Sequence, residues 1–253
     1  AHLPEGADTI LIQEEAWHSE TSVLMTGEGP PGIGSHIRKM GSDFSQGDIL
    51  LRSGGHLHAG AIALAAMANH GTLTVRKKPK IAIISSGDEL ISPGAKCGNH
   101  QIPSSNNLIL RALLAALPCE IVDHGIVSDD RRLLTEKFHK CANADIIVTS
   151  GGASVGDHDL IRPALEAAGA DIDFWRVALR PGKPLMAGML GRTVILGLPG
   201  NPASAFVTTF LFLLPLVRHL AGAASPFPEM VMAKAGAEIG ENGQRAQYLR
   251  AKF

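Results

Sequence analysis

Ala144-Asp145-Ile146-Ile147-Val148-Thr149 runs into Ser150-Gly151-Gly152-Ala153-Ser154-Val155-Gly156-Asp157-His158-Asp159 and then into Leu160–Ala168. The first six residues read as a near-continuous apolar strand, the middle as a glycine turn, and the last nine as a helix. A strand buried on both faces loses the alternation of a half-exposed one, so this unit predicts a parallel sheet covered by helices. The same rhythm extends both ways. Upstream lie a strand over Ile81–Ile84, a helix over Ser105–Leu117, a strand over Glu120–Val127 and a helix over Asp129–Cys141. Downstream lie strands over Asp171–Val177 and Thr193–Leu196, with a further strand expected over 185–190, and a helix over Asn201–Leu220. The alternation predicts an α/β domain over 78–222, a three-layer open sheet that is mostly parallel.

The flanks differ in pattern. Residues 1–50 hold short β-type runs, Thr9–Gln13 and Ser22–Thr26, between glycine and proline clusters, and read as part of a β-rich lobe. Residues 51–77 form a connecting segment with a helix over 58–70 closed by Gly71. Lys77-Lys78-Pro79-Lys80 marks the boundary. Residues 223–253 read as the start of a C-terminal β-domain.

Lys and Arg number 23 against 24 Asp and Glu, so no global field recruits nucleic acid or an acidic membrane. Eight Phe, two Trp and one Tyr are too few for the stacking platforms of single-strand binders. Cys97, Cys119 and Cys141 form neither a disulfide framework nor a zinc signature, which makes a reducing cytoplasm the expected compartment. No basic-then-apolar leader opens the chain. Ala203–Val217 falls short of the ~20 residues of a membrane span, and Pro215 is expected to bend or end its helix.

In open parallel sheets, ligands bind beyond the carboxyl ends of the strands. Four strand ends here supply glycines, hydroxyls and acids: Ser85–Glu89, Ser128–Asp130, Thr149–Asp159 and Gly197–Ser204. Glycines before a helix allow close backbone approach to phosphate, although a tight turn would use them equally. The spacing fits neither a P-loop nor a dinucleotide fingerprint. Asp157 and Asp159 read as capping acids or, with Asp88, Glu89 and Asp129, as a carboxylate pocket. Such a pocket suits a hard dication such as Mg²⁺ better than zinc. Arg176, Arg180 and Lys183 surround Pro181-Gly182 and Pro184, a rigid frame that presents cations to an anion or to solvent. Asn201 and Ser204 cap or bind at a helix start. His56 and His58 lack a third ligand nearby and read as surface residues.

Together these loops resemble the molybdopterin molybdenumtransferase family, the MoeA and gephyrin E-domain group. The resemblance is carried by Ser86-Gly87-Asp88-Glu89-Leu90, Asn106, the loop 150–159, Arg180-Pro181-Gly182-Lys183-Pro184, and Gly197-Leu198-Pro199-Gly200-Asn201-Pro202-Ala203-Ser204. Pro4–Asp8 and Gly41-Ser42-Asp43 match the family's upstream region. The resemblance implies insertion of molybdate into adenylylated molybdopterin with release of AMP, dependent on Mg²⁺. It further implies a homodimer with its site between subunits, and transient contact with the adenylyltransferase of the preceding step. Under it, Asp129, Asp159 and Glu89 form the acidic set around metal and adenylate. Arg176, Arg180 and Ser204 belong to the oxyanion pocket, with Lys183, Asn201 and Pro202 beside them. Gly151, Gly152, Ser154 and Gly156 cradle phosphate or pterin, and Asp43 reaches in from the other lobe.

Three departures stand out. Arg176 and Arg180 occupy positions where many relatives have Lys, and Ser104 replaces an acid common two places before Asn106. The family's N-terminal segment and most of its C-terminal β-domain have no counterpart, so a longer parent is expected. Two other readings compete: a molybdopterin adenylyltransferase, whose glycine loop typically ends Gly-Gly-Thr-Gly, and a non-catalytic scaffold of the same fold.

Overall fold

The computed structural model describes residues 2–151 and 160–251. A short hairpin comes first, β1 (Ala16–His18) against β2 (Val23–Met25), antiparallel with Trp17 opposite Leu24. Helix α1 (Ala59–Met67) follows, capped by the His58 ring, which accepts the Ala61 N–H at 3.3 Å. The α/β part then runs β3 (Lys80–Ser86), β4 (Leu90–Ile91), β5 (Ile102–Pro103), α2 (Asn106–Leu114), β6 (Glu120–Val127), α3 (Arg131–Cys141), β7 (Ile146–Ser150), α4 (Ile161–Ala167) and β8 (Asp171–Phe174). It continues with β9 (Leu179–Arg180), β10 (Met186–Leu190), β11 (Thr193–Leu198), α5 (Pro202–Thr208), a π-helical turn (Thr209–Leu213) and α6 (Leu214–Leu220), before β12 (Ala246–Gln247).

Six strands form one sheet in the order β6-β3-β7-β11-β10-β8. The first four are parallel, and β10 is antiparallel to both β11 and β8. A two-residue turn between β10 and β11 explains the reversal, since a parallel pair needs a crossover of a dozen residues. The mostly parallel α/β sheet expected from sequence is therefore present, with an antiparallel edge. Alternate residues of each strand face opposite sides, so the central strands feed two cores. Ile84, Ile147 and Ile195 pack with Phe138 and Leu165 beneath α3 and α4. Ile83, Val148 and Leu196 pack with Leu110, Leu213 and Val217 beneath α2 and the last helices. Double burial is the physical reason the sequence of these strands lacks alternation.

Several local expectations change. Thr9–Gln13 forms no strand; Gln13–Glu15 is a 3₁₀ turn, because this run has no neighbouring strand to satisfy its backbone. Asn69, not Gly71, ends α1: it takes φ 63°, its N–H reaches the Ala66 carbonyl and the His70 N–H reaches that of Ala65, a Schellman closure. Pro215 does not end the last helix, which runs on to Leu220. It sits in the first turn of α6, directly after the π turn. The helical stretch Pro202–Leu220, at 19 residues, is long and apolar enough to cross a membrane by length and composition. Along it Ala205, Thr208, Leu213 and Val217 are buried.

The flanks stay open. The chain exposes 17573 Å², against about 10,700 Å² for a compact protein of this mass. The surplus is carried by side chains such as Val23, Ile33, Met40, Met230 and Met232, all exposed. From the C-terminal side, β12 joins the α/β part by parallel pairing with β9. Burial pushes the Cys141 thiol up against the opposing pull of Lys137, and the Cys119 thiol up against Lys78, so neither is a ready thiolate.

Candidate functional site

The carboxyl edge of the sheet gathers the ends of β3, β6, β7, β8 and β11, and the side chains there are tied to one another. Ser86, last residue of β3, is buried and donates its hydroxyl to Asp129 Oδ1 at 2.6 Å. Asp129 in turn donates its N–H to Asp88 Oδ1 at 3.1 Å. Asp130 caps α3 by accepting the Leu133 N–H at 2.9 Å, which anchors the loop from the other side. The Glu89 carboxylate folds back over Gly87, whose φ of 149° and lack of Cβ leave the room.

Gly151 follows β7 with φ 97°, and a Cβ there would collide with the Ser86 carbonyl oxygen. Asn106, the first residue of α2 and 92% buried by its 8% exposure, is the central tie. Its Nδ2 donates to Ser150 Oγ and to the Gly200 carbonyl, both at 2.8 Å. One amide thus joins α2, β7 and the β11–α5 loop. Asn201 caps α5 by accepting the Ser204 N–H at 3.2 Å, with Pro202 in the first turn. Between these segments lies a cavity of about 220 Å³, lined by Ser86, Glu89, Ser104, Asn106, Ser150, Gly151, Gly200 and Pro202 among others.

The cationic loop borders the same edge, since β8 ends there and β10 begins there. The Val177 N–H donates to the Lys183 carbonyl at 3.0 Å. Gly182, at φ 116°, lies so close to Thr208 that a Cβ would stand 2.6 Å from its methyl group. The loop is therefore pressed onto α5, and Arg176, Arg180 and Lys183 project from it exposed. The Arg180 carbonyl accepts the Tyr248 N–H at 2.8 Å.

Of the residues singled out from sequence, the structure brings Glu89, Asp129, Gly151, Arg176, Arg180, Lys183, Asn201, Pro202 and Ser204 to this edge. Asp159, Gly152, Ser154 and Gly156 lie outside the described residues. Asp43 is not drawn in: it is exposed and pairs with Arg38 at 3.2 Å. Among the described residues, no three His, Cys, Asp or Glu side chains cluster as a metal site. The described part thus holds two of the three carboxylates expected around Mg²⁺, Glu89 and Asp129. Their hard oxygens suit that ion. Sequence reasoning named the strand ends that hold Ser86, Ser150 and Gly200, but did not place these residues and Ser104 as the wall of one cavity. It also missed Trp175 and Arg162, which only the crossing of β8 past α4 brings together.

This edge sets hydroxyls and carboxylates around a small cavity, with three exposed cations on the loop that borders it. Residues 82–219 match the family model described as a probable molybdopterin binding domain, and the chain belongs to that family. Residues 1–69 match the MoeA N-terminal region (domain I and II), so the combination is that of MoeA proteins. The chain is 35% identical to a molybdopterin molybdenumtransferase of Nostoc sp., over 98% of this chain and 58% of that protein. It is 34% identical to the molybdopterin molybdenumtransferase of Haemophilus influenzae, over 88% of this chain and 55% of that one. A crystal structure of the molybdopterin biosynthesis moea protein from Pyrococcus horikoshii superposes with a TM-score of 0.68 at 29% identity, covering 87% of this chain and 55% of that one. The chain spans between a half and two thirds of the length of these relatives.

Proposed function

We propose that this chain carries the site at which molybdate is inserted into adenylylated molybdopterin and AMP is released. The observation that supports it most is the pairing of two poles on one sheet edge: acids and hydroxyls around the Asn106 cavity, and three cations on the loop beside it. A tetrahedral dianion suits planar guanidinium donors, so Arg180 and Arg176, with Lys183 and Ser204, hold molybdate. Gly151 lets backbone approach a phosphate closely, and Gly152, Ser154 and Gly156 continue that cradle; Asn201 and Pro202 shape the wall beside it. Glu89, Asp129 and Asp159 would hold Mg²⁺, which would supply charge neutralisation at the phosphoanhydride. Asp43 serves the site of a second copy in a homodimer, and the enzyme works in the cytoplasm after a transient handover from the adenylyltransferase.

The test is molybdate-dependent release of AMP from adenylylated molybdopterin, measured with wild-type chain and Arg180→Gln. The wild type should release AMP only when molybdate is present, and the variant should lose on the order of 10²-fold, as for removal of one preorganised charge donor. ATP-dependent adenylylation of free molybdopterin, with no effect of molybdate, would sink the reading.

A further inference from the structure

We infer that Trp175 is a positioning residue that holds Arg176 and Arg162 as a two-guanidinium platform for a tetrahedral oxyanion at the carboxyl end of β8. The inference rests on the reading above for the role of Arg176, and adds Trp175 and Arg162 beside it. The Arg176 Cζ lies 5.1 Å from the Trp175 ring centroid and the Arg162 Cζ 5.2 Å from it. An indole face is the best aromatic seat for a guanidinium. The ring is partly buried and packs on the core beneath α3 and α4.

The charges on the platform do not balance. Arg162 is answered by Glu166 one turn further along α4, Nε to Oε1 at 2.8 Å. Arg176 makes no ion pair among the described residues. Two like charges drawn to one ring repel each other, and only one carboxylate offsets them. An anion placed against both would relieve that repulsion and find planar donors already oriented. Trp175 Nε1 is buried without a partner, so the indole is held here at the expense of one hydrogen bond. Its ring face, rather than its N–H, is what this position uses.

The chain has two tryptophans, Trp17 and Trp175, so Trp17→Phe leaves Trp175 as the single indole fluorophore. Titration of that variant with sodium molybdate, and separately with AMP, should give a saturable change in its emission. A response to molybdate identifies the free oxyanion as the ligand, and a response to AMP alone identifies a nucleotide phosphate; both carry the same chemistry. No saturable response to either overturns the platform. Trp175→Leu should raise the Kd of the responding anion about fivefold by equilibrium dialysis, the size of one exposed cation–π contact, while Trp175→Phe restores most of the affinity. Unchanged affinity in Trp175→Leu, or no rescue by Phe, also overturns it. Where Trp175→Leu does not fold, Arg162→Gln and Arg176→Gln replace it, each expected to weaken binding about fivefold on the same scale. Because binding is read without turnover, loss of molybdate-dependent AMP release in the wild type sinks only the insertion chemistry. The platform stands or falls on the titration.

Discussion

The sheet over residues 80–220 and the first fifty residues contain similar proportions of β-forming side chains, yet they end in opposite conditions. In the sheet, Ile81, Ile83, Ile84, Ile146 and Ile147 are fully buried. In the hairpin, Val23, Leu24 and Met25 stand 69%, 60% and 53% exposed. The difference is partners. A β-forming run gains stability only from the neighbours that cover its faces, and a two-stranded ribbon has almost none.

The comparison can be broken at either end. The largest effect is expected from Phe138→Ala, which removes a fully buried ring between α3 and the sheet. It should lower the free energy of unfolding by about 3–5 kcal/mol, read from chemical denaturation, and a loss below 1 kcal/mol would mean this core is loosely packed. Asn106→Ala should come next, at about 1–3 kcal/mol, because it strips the buried Ser150 hydroxyl and Gly200 carbonyl of their donor. It should also loosen the strand-end cavity, so hydrogen exchange at 150 and 200–204 should rise more than at β6. Equal rises across the sheet would show that the tie is global rather than local to the site. Smallest is Leu24→Ala in the hairpin, expected within about 0.5 kcal/mol of wild type. A loss of 2 kcal/mol there would reveal a cover over this face in solution.

How much could be read in advance divides along the same line. The strand read around Glu120–Val127 is present there, and the other long strands and helices fall within a few residues, because apolar runs between helical periods have one compact solution. The end of α1 was misread because Asn and Gly both tolerate the left-handed conformation, and the choice depends on which residue lands one position past the cap. The antiparallel β10 was legible only as a further strand; its direction follows from the short turn to β11. At the site, the charged and glycine residues were visible as residue types clustered after strands. The cavity wall was less visible, since serines that line a pocket look like serines that end a strand.

The sequence by itself determined the α/β sheet, the edge on which charged and glycine-rich loops gather, and membership in the molybdopterin-binding family. Periodicity and the order of loops are local properties, and a chain carries them wherever it folds. Tertiary structure alone decided that Asn106 joins three elements and that Glu89 turns back over Gly87. It also decided that Arg162 and Arg176 both lie over the Trp175 ring. Each of these depends on groups remote in the chain, or on backbone angles set by packing, meeting within about 3–5 Å, and distance across a fold is set by how layers stack, not by any local pattern.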